Sequence, residues 1–211
     1  MHRTQFHFVT IFALLVLLTG CGTHFKYQPT HALSYPHISN NHGVAIIPGE
    51  DLRIDTEHPD WSRKVPTIVA DALSDELKHN HIFQSVKIRS SQPKKGYSHV
   101  VTFRIQQFEY HDESSTLESL GRVTLRSHGS EGPWIARSIP SKFVATVQIE
   151  FTVLDAKTRQ PVLTRSYRET QSVHANAYQK ETPQIHATSQ ALEKVVTHFV
   201  TDLVNLPLSQ R

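Results

Sequence analysis

Residues 65–88, VPTIVADALSDELKHNHIFQSVKI, decide the fold because this one stretch changes its hydrophobic period partway along. With Trp61 just upstream, Val65, Ile68, Val69, Ala72, Leu73 and Leu77 recur at helical spacing and form one apolar stripe. Ser62 is the expected cap, Pro66 falls in the first turn, and Asn80 is expected to end the helix in a left-handed conformation. Phe83 to Ile88 then reads as a short strand. Upstream, Gly43-Val44-Ala45-Ile46-Ile47-Pro48 is a continuous apolar run closed by Pro-Gly, which suits a buried strand. Strand, helix and strand make a βαβ unit of about forty-five residues with parallel strands and a right-handed crossover.

The rest of the chain alternates at the strand period. Val101, Phe103 and Ile105 share one face of a strand from Tyr97 to Tyr110, but Phe108 and Tyr110 fall on the other, which predicts a bulge near Gln106-Gln107. Residues 111–140 are polar and rich in glycine, with a short strand expected at Val123–Leu125. Phe143, Ala145, Val147, Ile149, Phe151 and Val153 form the clearest strand, polar on much of its other face. A hairpin loop from Asp155 to Pro161 leads into a returning strand from Val162 to Gln171. Thr182 caps a last helix with Pro183 at its first position, and Ile185, Thr188, Leu192, Val195, Val196, Phe199 and Leu203 lie on one face. These elements predict an α+β fold. It is a two-layer sandwich with a mostly antiparallel sheet, an opening βαβ unit and two amphipathic helices on one face.

The chain has 211 residues, 38% hydrophobic and 19% charged, with a formal net charge of +3. That suits one domain and supplies no basic cluster for nucleic acid. Cys21 is the only cysteine, so neither an intramolecular disulfide nor a cysteine zinc site can hold the fold. The apolar run Phe8 to Leu18, preceded by Arg3, is too short to span a membrane and reads as the core of a signal peptide. Leu18-Thr19-Gly20-Cys21 resembles the lipobox of bacterial lipoproteins. The resemblance implies that residues 1–20 are removed and that Cys21 is acylated and becomes the mature N-terminus. Gly22 follows, and no Asp stands there or next, which by resemblance to Gram-negative sorting rules implies the outer membrane with the domain facing the periplasm. Residues 21–42 then read as the lipidated cysteine and a flexible tether, with a reach of at most about 70 Å. Residues 43–206 read as a single periplasmic domain.

No G-x-S-x-G, P-loop, G-x-G-x-x-G or H-E-x-x-H motif occurs, and the one thiol is assigned to lipid, so the expectation is a protein without catalysis or cofactor. Thirteen of the fifteen histidines lie beyond residue 20. None forms a pair at metal-ligand spacing on a secure element, so solvated or helix-capping roles are expected, with no metal. Their protonation would raise affinity for an acidic partner or an anionic surface on acidification. Trp134 and Ile135, in Glu131-Gly132-Pro133-Trp134-Ile135, place apolar side chains in a loop and are candidate partner contacts. Trp61 is either a cap over the sheet edge or a third contact.

Trp61, Leu73 and Leu77, Phe83 to Val86, and Phe108-Glu109 resemble the motif set of the auxiliary lipoproteins of ABC-type transport systems. "VAIIPGEDLR" followed by "ADALSDELKHNHIFQSV" is also similar to the N-terminal domain shared in outline by TolB and by curli-secretion and penicillin-binding-protein-activator lipoproteins. Both resemblances cover about residues 43 to 110. They imply a non-catalytic lipoprotein with protein partners in an envelope transport or secretion complex. The rival reading is a periplasmic carrier that binds a lipid or other apolar ligand in a groove of the sandwich.

Overall fold

A computed structural model describes residues 25, 27, 40–53, 64–93, 96–113, 141–175 and 183–206. Five strands, β1 (Asn40–Asp51), β2 (Phe83–Ile88), β3 (His99–Asp112), β4 (Ser141–Asp155) and β5 (Pro161–Ala175), form one sheet in the order β2-β1-β3-β4-β5. The helices α1 (Val65–His79) and α2 (Pro183–Asn205) pack on the same face, α1 over β1 and β2 and α2 over β3 to β5, and they touch each other. The sheet is mixed: β1 runs parallel to both neighbours, while β3, β4 and β5 are antiparallel. The expected strand at Val123–Leu125 lies outside the described residues.

The core follows from the alternation. Val101, Phe103 and Ile105 of β3 and Val147, Ile149, Phe151 and Val153 of β4 are buried against Leu192, Val195, Val196, Phe199 and Leu203 of α2. Phe151 stacks on Phe199 with ring centroids 4.3 Å apart, and Phe103 and Tyr167 meet Phe151 at tilted angles. Ile105 pairs with Ile149 but Gln107 pairs with Gln148, so one residue of β3 is bulged out there. The bulge returns Phe108 to the core face, where it is buried.

Several readings of the element ends are corrected. β1 does not stop at Pro48-Gly49 but continues to Asp51 through a register shift between Ile47 and Glu50. β2 pairs no further along β1 than Ile46, so the missing N–H of Pro48 falls where no β2 partner remains. A Cβ on Gly49 would lie 1.4 Å from the Phe103 carbonyl oxygen, so only glycine fits this crossing. Helix α1 begins after Lys64, which takes the cap position with no side-chain hydrogen bond, in place of Ser62. The left-handed residue closing α1 is His81 (φ 52°), while Asn80 keeps φ −88°. His81 N–H donates to Lys78 O and Ile82 N–H to Leu77 O, a Schellman closure in which Ile82 and Leu77 are both buried.

β3 starts at His99, because Tyr97 belongs to the crossover that carries the chain over β1. There Arg89 N–H donates to Ile46 O and Ser98 N–H to Gly43 O, and the Arg89 guanidinium holds the Tyr97 hydroxyl at 3.0 Å. A Cβ on Gly43 would press on the Tyr97 ring at 3.1 Å.

Candidate functional site

Sequence reasoning singled out Cys21, Trp61, Trp134 and Ile135, and all four lie outside the described residues. The structure draws attention instead to Phe25 and Tyr27, which fall inside the stretch read as a tether and are packed on the domain. Tyr27 is 9% exposed, and its hydroxyl donates to Glu76 Oε2 at 3.2 Å. Glu76 projects from the last turns of α1 and is 1% exposed, although it sits beside the apolar stripe. Its other oxygen accepts from Asn80 Nδ2 at 2.9 Å, and the same nitrogen donates to the Glu76 carbonyl at 2.9 Å. Both carboxylate oxygens are therefore occupied, as a buried carboxylate requires.

Burial pushes the Glu76 carboxyl above its ordinary range, against the lowering pull of the Asn80 and Tyr27 hydrogen bonds. The Tyr27 hydroxyl is driven far up, first by burial and then by the charge of Glu76, so it stays a donor. Glu193 on α2 adds negative charge from the other side.

Two residues earlier the same segment reaches the sheet. The Phe25 ring lies edge-on to Phe108, with centroids 6.3 Å apart at 61°. The Arg53 guanidinium sits 5.9 Å from the centre of the Phe108 ring, donates to Phe108 O at 3.4 Å, and grips Asp51 through two bonds of 2.8 and 2.6 Å. Those bonds hold the Asp51 carboxyl below its usual range. Phe25 touches β3 and Tyr27 touches α1, so these two residues contact both layers. A signal existed in the apolar alternation Phe25-x-Tyr27, but it is too short to separate from linker composition. The burial of Glu76 had no signal, because glutamate on a helix flank is ordinarily solvated.

The sheet face away from the helices carries a paired polar group at its middle, while Ala45, Val100 and Val144 on the same face are buried. Gln148 donates to Gln106, the bulged residue, at 2.6 Å, and Ser166 donates to the same oxygen at 3.2 Å. Arg104 lies 3.5 Å from Glu50 and 3.7 Å from Glu150. Thr152 meets Thr164, and Thr146 meets Thr170. On the helix side, the rim between β5 and α2 carries a second polar group. Tyr167 donates to Asp202 Oδ2 at 2.7 Å, Arg165 contacts the same oxygen at 2.5 Å, and His198 lies 3.3 Å from Glu169. Asp202 is held below its usual range, mainly by the Tyr167 hydroxyl. Among the described residues no three His, Cys, Asp or Glu side chains converge as a metal site would need, and no helix is long and apolar enough to cross a membrane.

No family model matches the sequence, and no curated relative matches it. Solved structures do match in shape. The protein CT253 from Chlamydia trachomatis is 10% identical, with 81% of this chain and 99% of that one covered at a TM-score of 0.51. The protein XCC0632 from Xanthomonas campestris, of the family DUF330, is 14% identical over 90% and 94% of the two chains at 0.44. Lipoprotein GNA1162 from Neisseria meningitidis is 12% identical over 78% and 99% at 0.34. The likeness to CT253 shows a shared fold.

Proposed function

We propose that this chain is a non-catalytic lipoprotein, acylated at Cys21 and held at the outer membrane, that serves as an accessory or adaptor subunit of an envelope transport or secretion complex. The observation that carries this reading is the docking of Tyr27 on Glu76, six residues after the lipobox cysteine. Six residues reach about 20 Å at most, so the chain between anchor and domain is short. The 70 Å reach of a free tether is then replaced by a domain held beside the lipid, with its Phe25–Tyr27 attachment facing the anchor. A domain fixed in that way can present a surface to a membrane complex without the entropic cost of ordering a long linker. The polar middle of the open sheet face, with Arg104, Gln106, Gln148 and Glu150, is the surface such a complex would contact.

Metabolic labelling with a palmitate analogue tests the anchor. Label is expected on the wild type and lost in Cys21→Ser, and an unlabelled wild type overturns the reading. A photo-crosslinking residue at Gln148, compared with one at exposed Asp75 on α1, tests the adaptor role in intact cells. Capture of a transport or secretion component from position 148 supports it, and equal yields from both positions overturn it.

A further inference from the structure

Strand β5 closes one side of the sheet, and among the described residues no strand pairs with its outer edge. It runs fifteen residues, its one proline is the first, and its only register irregularity against β4 lies at the turn end, between Val153 and Leu154. A long regular edge of this kind is a template for another strand unless something blocks it. Charged side chains are the usual block, and β5 carries Arg165 and Glu169 on its helix side and Arg168 on its open side.

These charges favour one pairing. A two-fold axis normal to the sheet keeps both helix layers on one side, so each residue faces one of the same face in the second copy. Centred on Arg165, Arg168 or Glu169, like charges would sit directly opposite, which is unfavourable. Centred on Tyr167, Arg165 faces Glu169 of the second copy and Glu169 faces its Arg165. Thr164 then faces Thr170, and Ser166 faces Arg168. Within each chain Arg165 already bridges to Asp202, and His198 lies 3.3 Å from Glu169, so the new contacts would set Asp202, Arg165 and Glu169 of the second copy in a row of alternating sign. Arg165 is 60% exposed and available for a second partner.

We propose that β5 pairs antiparallel with β5 of a second copy, centred on Tyr167, to make a continuous ten-stranded sheet. The inference does not depend on the anchor.

Cysteines at Thr164 and Thr170 test it. The two positions are six residues apart on one strand, about 20 Å, too far for a disulfide within one chain. In the pairing they lie directly opposite, within disulfide reach. The full chain in detergent micelles is oxidised at micromolar concentration, with the wild type, whose only cysteine is Cys21, as background. The double variant T164C/T170C, and a mixture of the two single variants, are expected to give covalent dimers at least tenfold above either single variant alone. Because the mixture uses only single exposed substitutions, it reads the pairing even if the double variant folds poorly. A wild type that sediments as a monomer, or single variants that crosslink as well as the mixture, would overturn the proposal.

Discussion

The Tyr27 hydroxyl donates to a carboxylate oxygen of Glu76 at 3.2 Å across 49 positions of sequence, inside a site where Glu76 is 1% exposed. This bond joins the chain at Tyr27 to the helix layer.

Glu76 has a raised folded-state pKa, so its contribution to stability is fully present when it is protonated, below the unfolded-state value, and is lost as pH rises through the folded one. Glu76→Gln removes that titration while keeping an acceptor for Asn80. The wild type is therefore expected to gain stability relative to Glu76→Gln as pH falls from 7.5 to 4.5, the ordinary glutamate value, in urea denaturation. A constant difference across that range would contradict the burial of the charge. Tyr27→Phe leaves the carboxylate one donor short and should cost about 1–3 kcal/mol at neutral pH.

Gly49 crosses the backbone of Phe103 so closely that a methyl group cannot be accommodated without separating β1 from β3. Gly49→Ala is expected to destabilise by about 3 kcal/mol or more, measured by chemical denaturation. Gly43→Ala meets the movable Tyr97 ring among its contacts and should cost less.

His81 (φ 52°) and Arg159 (φ 59°) hold left-handed conformations without being glycine. Arg159 closes the β4–β5 turn with its N–H on Asp155 O, where Asp155 Oδ1 also accepts from the Lys157 and Thr158 amides. His81→Gly and Arg159→Gly are each expected to stabilise by about 0.5–1 kcal/mol, seen as higher thermal midpoints. A lower midpoint for His81→Gly would mean that its side chain contributes more than its backbone strain costs.

Asp202 binds both Tyr167 and Arg165, and its pKa is depressed. Its contribution is present above the unfolded-state pKa and lost as pH falls through the folded one. Tyr167→Phe and Asp202→Asn should each cost about 1 kcal/mol at pH 7 and fall short of additivity in the double variant. The cost of Asp202→Asn should shrink below pH 4.

The sequence by itself determined the element order, the apolar faces and the bulge in β3. These rest on local periods, and a two-residue or 3.6-residue repeat is legible wherever one face must leave water. It placed Phe151 and Phe199 on core faces, although their stacking required the fold. It also read Leu18 to Cys21 as a lipobox, outside the described part of the structure. Tertiary structure alone decided that β1 passes through Pro48-Gly49, since that depends on where β2 ends and where the Phe103 carbonyl lies. It alone put the left-handed turn at His81 instead of Asn80, because the Schellman closure is set by the docking of Ile82 against Leu77. It alone turned Phe25 and Tyr27 from linker into structure. Their partners, Phe108 and Glu76, are far away in sequence, and no local pattern records which distant side chain will satisfy a buried hydroxyl or carboxylate.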